Sequence, residues 1–379
     1  MKTRRARAEA EKLVALSLLK RAQKLEEEGK AADAARVYAR IFSEFPSVDF
    51  SPLAGISAGK AYLKGGLEKE GINVLEEVTR RHGGTPFEGE ARRLLAKAYE
   101  KRGELEKAAE NYRLIGKTLK EEEKGIPFLR KAGLMYFSLK SYDRAFSTFS
   151  ALLSRKDAKE SQVAEALYYA GMSLVLQEKK RKGEKFLQRA VAMGKKKGAS
   201  YEARLFASRA LLTLVAGEFE KYRKIRIVEP FEKTFRKKSS SLKKVISSYL
   251  EVARFGIPES LSEALFRIGE AYEEFKRAIL EAPIPKGLSR IEQEEYIFLL
   301  EEKAAPFEEK AVETHRENLV KAAKNGYFNE WVERSLTRLT ELRPGLYSKK
   351  PVVPLPPIPI VPEKPSDLIK EVLVPGGIS

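Results

Sequence analysis

Cysteine is absent from the 379 residues. That excludes disulfide frameworks, thiolate nucleophiles and Cys-based zinc or iron–sulfur sites. Histidine is nearly absent: only His82 and His315 occur, far apart, and no H-E-x-x-H or comparable ligand spacing is present. Asn and Gln total ten and Met four, whereas Lys, Arg and Glu are abundant. Thermolabile side chains are thus scarce and charges plentiful, the balance seen in thermophile proteins. No run approaches the roughly 18–20 uninterrupted apolar residues of a spanning helix. Acidic residues are outnumbered, 54 against 72 Lys plus Arg, for a net charge of +18. The start of the chain is basic (Lys2, Arg4, Arg5, Arg7), but its apolar segment Leu13–Leu19 is short and has no small-residue cleavage site after it. It reads as an amphipathic helix, not a signal peptide.

What is present is internal repetition, the feature to seek before any local structure. The small residues Ala22, Gly59, Ala96, Gly133 and Gly171 recur at intervals of 37, 37, 37 and 38. Each is followed three positions on by a large residue: Leu25, Tyr62, Tyr99, Tyr136 and Leu174. A second small residue comes at Ala34, Gly71, Ala108, Ala145 and Gly183, then a large apolar one at Tyr38, Leu75, Tyr112, Phe149 and Leu187. Two helices approach closely only where one is small and a large side chain fills the space beside it. Gly29, Gly66 and Gly103 mark the turns within the first three units. Pro46, Pro52, Pro86 and Pro127 mark the junctions between units. A single helix pair cannot bury its apolar face, but stacked pairs can.

These residues resemble the tetratricopeptide repeat (TPR) family, most closely in Tyr99–Ile115, "YEKRGELEKAAENYRLI". The resemblance covers five units over Ala15–Lys197, although the family Trp is missing and the closing Pro is clear only at Pro46. It implies an all-α, right-handed superhelical solenoid of antiparallel helix pairs, here with a non-repetitive helical C-terminal block. The expected organisation is a basic helical extension at 1–14, five units over 15–200, a degenerate repeat and basic junction over 201–257, a C-terminal block over 258–347 and a flexible Pro-rich tail over 348–379. Within the degenerate region Gly217 is expected to end one helix and start a short second one. Pro230 and Ser239–Ser241 suggest a junction. Further helices are expected over Pro258–Leu280, Ile291–Lys303, Pro306–Ala323 and Phe328–Leu342.

The block Leu261–Tyr347 is similar to the C-terminal part of large bacterial TPR proteins of the cell envelope, including the gliding-motility type. The residues that carry this are the Ala282-Pro-Ile-Pro junction, Tyr296 with Ala305-Pro306 and Glu309, and Asn329-Glu330-Trp331 ahead of Leu336, Leu339 and Pro344. The resemblance implies a structural role in a periplasmic or envelope assembly and supplies no catalytic motif. The chain as given carries no export signal, so the cytoplasm stays open as the compartment. The tail holds seven prolines between Pro351 and Pro365, which favours polyproline II, as a spacer or a groove ligand.

Candidate chemistry fails on spacing. Gly55-Ile-Ser-Ala-Gly59-Lys60 has one residue too few for a phosphate loop, and Gly116-Lys117-Thr118 has Asn111 where the first glycine belongs. Glu26–Glu28 and Glu121–Glu123 read as solvated helix ends, with nothing to desolvate a general acid. We therefore expect no cofactor, no metal and no catalysis.

In TPR solenoids the first helix of each pair lines the concave face. Here the corresponding positions are Lys60, Lys64, Arg93, Lys97, Lys101, Arg130, Leu134, Phe137, Tyr168 and Met172. A basic stretch followed by an apolar one suits a protein or peptide partner with acidic and apolar parts. The alternative is packing of this face on the chain's own C-terminal block. A second candidate is the pair of basic runs, Glu178–Gly198 and Lys221–Lys244, containing Lys179, Lys180, Arg181, Lys182, Lys195, Lys196, Lys197, Arg236, Lys237 and Lys238. Such density attracts anionic membrane surfaces or nucleic acid. Tyr222, Phe231 and Phe235 lie among the second run, at a spacing that also suits core packing.

Overall fold

The computed structural model describes residues 2–119 and 125–347, with side chains from residue 6 onward. The expected Pro-rich tail, Glu121–Glu123 and the side chains of Lys2, Arg4 and Arg5 lie outside the described residues. The described residues form α-helices joined by turns. In order these are α1 (Lys2–Glu27), α2 (Ala31–Glu44), α3 (Ser51–Lys64), α4 (Glu68–Arg81), α5 (Pro86–Lys101), α6 (Leu105–Thr118), α7 (Ile126–Ser138) and α8 (Tyr142–Leu153). Then come α9 (Glu160–Leu176), α10 (Lys180–Gly194), α11 (Tyr201–Arg223), α12 (Phe231–Ala253), α13 (Pro258–Leu280), α14 (Arg290–Lys324), α15 (Glu330–Leu342) and α16 (Pro344–Tyr347). Two compact units result. The first runs up to Lys159 and includes Tyr169–Gly183; the second comprises Glu160–Tyr168 and the chain from Glu184 onward.

In the first unit α1 to α8 pack in sequence order as antiparallel hairpins, the TPR-like arrangement that the repeat interval predicts. Every small anchor is buried. A Cβ placed on Gly59 would lie 2.4 Å from Leu75 Cγ, and one on Gly133 would lie 2.7 Å from the Phe149 ring. The second small residue then rests on the backbone of the first: a Cβ on Gly71 would stand 3.0 Å from the Gly59 carbonyl oxygen, and one on Gly183 2.7 Å from that of Gly171. Pro52, Pro86 and Pro127 occupy the first turns of α3, α5 and α7, where their missing N–H costs no helical hydrogen bond.

Over the first four units two kinds of repeat alternate; the fifth, anchored by Gly171 and matched with Leu187, is again of the glycine kind. Where the anchor is Ala, at Ala22 and Ala96, the facing residue is Tyr, and its hydroxyl donates to a carboxylate four residues after the anchor. Tyr38 reaches Glu26 at 3.2 Å and Tyr112 reaches Glu100 at 2.9 Å. Where the anchor is Gly, at Gly59 and Gly133, the facing residue is Leu75 or Phe149, and the carboxylate position holds Leu63 or Phe137. The tyrosine brings a polar tip that must be satisfied once buried, so the Glu accompanies it. A second set of such bonds joins successive repeats: Tyr99 to Glu76 at 2.5 Å and Tyr136 to Glu110 at 2.7 Å. Burial and Glu26 together push the Tyr38 phenol up to about 12.

The turn inside each unit is equally regular. Gly29, Gly66 and Gly103 have φ of +74°, +80° and +76°. One repeat further on, the same left-handed position is held by Lys140 at +59° and then by Glu178 at +62°, which strains an L side chain.

The second unit is built on α13, packed against α11, α12, α14 and α15. Three sequence expectations are corrected here. Gly217 does not end a helix: α11 runs through it, because Val215, Phe219 and Tyr222 recur at helical spacing and are buried. Ser239–Ser241 are not a junction but lie inside α12, whose Leu242, Val245 and Tyr249 enter the same core; the break falls before Phe231. Pro306 does not separate two helices, and α14 continues through it. Pro306 removes the hydrogen bond to the Glu302 carbonyl, but both residues are exposed, where water replaces it, while Leu300, Ala304 and Phe307 hold the opposite face in the core. The Ala282–Ser289 junction is non-helical as expected, and Ser289 caps α14 in a reciprocal pair with Glu292.

Candidate functional site

Helices α3, α5 and α7 present one row of side chains in the first unit. Residues one repeat apart occupy equivalent places: Ile56, Arg93 and Arg130; Lys60, Lys97 and Leu134; Lys64, Lys101 and Ser138. The row is continuous. Helix α3 packs on α5, Arg93 lies over the Phe128 ring at 5.8 Å, and Lys131 reaches Glu100 at 2.8 Å. Ile56 is buried and leaves the surface to the basic residues.

The cations of this row differ in commitment. Arg93 donates to Glu90 at 2.8 Å, and Lys101 bridges to Glu68 at 2.7 Å. Lys60, Lys64 and Lys97 are exposed and form no ion pair among the described residues. Arg130 is exposed; Leu134 and Phe137 are half-buried. The Phe137 ring packs edge-on to Tyr142 and Tyr169, with centroids 5.6 and 5.1 Å away. Met172 is half-buried in this unit, whereas Tyr168 belongs to the second unit and packs against Phe206. Sequence reasoning missed Lys131 and its link to Glu100 and Tyr112. The hydrogen bond from Lys131, against burial and aided by Tyr112, holds the Glu100 carboxyl below the usual range.

The basic runs do not form one set. Lys179 to Lys182 belong to the first unit; Lys195 to Lys197 and Arg236 to Lys238 belong to the second. Lys180, Arg181 and Lys182 are exposed in the first turn of α10. Lys179, Lys195 and Lys196 pair with Asp143, Glu251 and Glu160, and Arg236 approaches Glu232 at 3.8 Å; Lys197 and Lys237 are exposed. Lys238 is corrected outright. It is wholly buried, donating to the Ile225 carbonyl at 2.7 Å and to Glu274 at 3.1 Å, with its ammonium over the Tyr222 ring. Burial pushes its pKa down against the pull of Glu274. It is a packing residue that ties the segment before α12 to α13.

The second unit also holds a cleft of about 530 Å³ lined by Arg223, Glu270, Glu273, Glu274, Arg277 and Arg338 among others. Its charges neutralise one another: Arg277 pairs with Glu274, Arg338 with Glu273, and Arg223 with Glu220. Beside it the buried His315 stacks over Gly269, with Nε2 3.0 Å from Glu273 and Nδ1 3.3 Å from Ser335. These contacts tie α13, α14 and α15 together. Asn329, singled out in the sequence, caps α15 by accepting from the N–H groups of Trp331 and Val332. Among the described residues no helix is long and apolar enough to cross a membrane.

No protein-family model matches the chain, and no curated protein is similar to it at a significant level. Among solved structures, the MamA protein is 18% identical over 47% of this chain and 91% of its own, with a TM-score of 0.31. A tetratricopeptide repeat protein from Parabacteroides merdae is 12% identical over 76% of this chain and 98% of its own, with a TM-score of 0.30. A signal-transduction ATPase with a tetratricopeptide repeat sensor from Pyrococcus horikoshii is 16% identical over 88% of this chain and 43% of its own, with a TM-score of 0.38.

Proposed function

We propose that this protein is a non-catalytic scaffold whose first-helix row, on α3, α5 and α7, captures a partner segment carrying carboxylates and apolar side chains. The observation that supports it most is the disposition of Lys60, Lys64 and Lys97. Lys60 and Lys64 stand on α3 and Lys97 one repeat on, on α5, which packs against α3; none has an ion pair among the described residues, and α7, one repeat further, carries half-buried Leu134 and Phe137. Unpaired surface cations steer encounter with an acidic segment, and the apolar neighbours supply desolvated contact. Met172 extends the apolar part; Arg93 and Lys101, already paired with Glu90 and Glu68, and exposed Arg130 border the row. The resemblance of Leu261–Tyr347 to envelope TPR proteins supports placing this scaffold in a bacterial envelope assembly, which cell fractionation of the native organism checks.

The test is capture of the partner by the Lys97→Glu/Arg130→Glu variant. Capture should fall by at least about tenfold, equivalent to about 1.4 kcal/mol, with unchanged thermal melting. Unchanged capture would move the site elsewhere. Binding of the same variant to anionic vesicles or nucleic acid at low salt, through Lys180–Lys182, would favour the charged-surface reading instead.

A further inference from the structure

Among the described residues, α14 and α1 each carry a group of apolar residues on the side facing away from the core. On α14 the core stripe is Tyr296, Leu300, Ala304 and Phe307. The opposite side carries Ile291, 70% exposed, Phe298, 65% exposed, and, to one side, Leu299. A shallow hollow there is lined by Glu294, Glu295, Phe298 and Leu299. Glu295, Glu301 and Glu302 form no ion pair among the described residues, so this face is apolar and negative. On α1 the inward stripe is Ala15, Ala22 and the partly buried Leu18 and Leu25. The outward side carries Leu13, 64% exposed, with Val14 and Leu16 beside it. Lys20 and Arg21 flank these and form no ion pair among the described residues; with exposed Lys24 they outnumber the exposed Glu9 and Glu27 on the same side, so this face is apolar with a net positive charge.

Isolated exposed apolar residues need no explanation, but groups of them rimmed by charge mark interaction surfaces. We propose that copies of this chain associate head to tail, the outward face of α1 of one molecule docking on the outward face of α14 of the next. Charge selects this pairing. Two α14 faces would set glutamates against glutamates, and two α1 faces would set net positive charge, centred on Lys20 and Arg21, against itself; the mixed contact is the one that brings net opposite charges together. Such an interface uses one different surface from each molecule, so it is heterologous. A helix pair about 20 Å long buries less than the roughly 1,200–2,000 Å² of a stable complex. The association is therefore weak, of order micromolar, and sensitive to salt. It does not depend on the first-helix row assigned above.

The test is sedimentation equilibrium on the full chain over a concentration series, at low and high salt. Wild type should gain mass with concentration and lose that gain at high salt. The Leu13→Glu/Leu16→Glu variant and the Ile291→Ser/Phe298→Ser variant should each be monomeric alone, with association weakened at least about tenfold. Mixed together they should form a one-to-one heterodimer and nothing larger, because one intact face of each kind survives. All substituted residues are exposed or at the rim of packing, and circular dichroism melts confirm folding. As a second set, Lys20→Glu/Arg21→Glu should weaken association, and adding Glu295→Lys/Glu302→Lys should restore it. A monomeric wild type at every concentration would overturn the proposal and leave the faces to another partner or to the chain's own segment beyond residue 347. Self-association of either double variant alone would overturn it in favour of a like-with-like contact.

Discussion

Substitution of Gly133 by Ala probes the nesting of helix hairpins at one of its close approaches. Alanine is the better helix former by about 1 kcal/mol, so an isolated α7 would gain. In the folded unit the new methyl would sit 2.7 to 2.9 Å from three atoms of the Phe149 ring. Ordinary carbon contacts are about 3.5–4.0 Å, so the ring must retreat by about 1 Å. It has little room, since Phe149 is fully buried and stacks on Tyr169 with centroids 5.3 Å apart. Overpacking of this kind costs about 1–3 kcal/mol, which leaves Gly133→Ala destabilising by about 1–2 kcal/mol after the helical gain. Phe149→Leu alone should also cost about 1–2 kcal/mol by opening space. The double variant should be more stable than the sum by about 1–2 kcal/mol, because the methyl fills what the ring vacated. Urea unfolding followed by circular dichroism, with amide hydrogen exchange in α7 and α8, measures all three. Additive costs, or a net gain for Gly133→Ala, would refute the reasoning that anchor and facing residue share one space.

Lys140→Gly should stabilise the first unit by about 0.5–1 kcal/mol, as relief of a left-handed Lys outweighs the extra freedom of Gly when unfolded; a lower melting temperature would contradict this. Lys238→Ala should destabilise the second unit by about 3–5 kcal/mol by breaking a buried, hydrogen-bonded pair, whereas a true surface patch residue would cost almost nothing. The Glu273 carboxyl is buried, which raises its pKa, yet hydrogen bonds from His315 and Arg338 outweigh this and hold it below the ordinary range. Such a group stabilises the fold above its unfolded pKa of about 4.3 and loses that contribution as pH falls through the lower folded value. Melting of the second unit should therefore drop below about pH 4, and Glu273→Gln should flatten that drop; an equally steep drop in Glu273→Gln would assign it to other carboxylates.

The repeat was legible because burial imposes a fixed period on residue size. Ala22, Gly59, Ala96 and Gly133 read directly as packing positions, and the glycine turns followed from the same count. The alternation of repeat types over the first four units was also written in the sequence, as Glu26 with Tyr38 and Glu100 with Tyr112, but it shows only once the hydroxyl is seen to need a partner. Local signals failed where long-range packing overrides them. Gly217, Ser239–Ser241 and Pro306 each argue for a break on propensity, and each lies in a helix held by a buried stripe on its other side. The fate of Lys238 was invisible for the same reason: a lysine beside Arg236 and Lys237 reads as surface, and only α13 with its Glu274 draws it inside. For the first-helix row, spacing placed Lys60, Lys97 and Leu134 in one register. Which cations are already paired depends on residues elsewhere in the chain, such as Glu68 for Lys101.

The claim that the first-helix row is the binding surface is tested most directly by photo-crosslinking in native cells from a benzoylphenylalanine placed at position 97. The account predicts a discrete crosslink to an acidic, apolar segment, lost when Lys60→Glu and Lys64→Glu are added. Crosslinking no greater than that from position 113, on the partner helix α6, would contradict it.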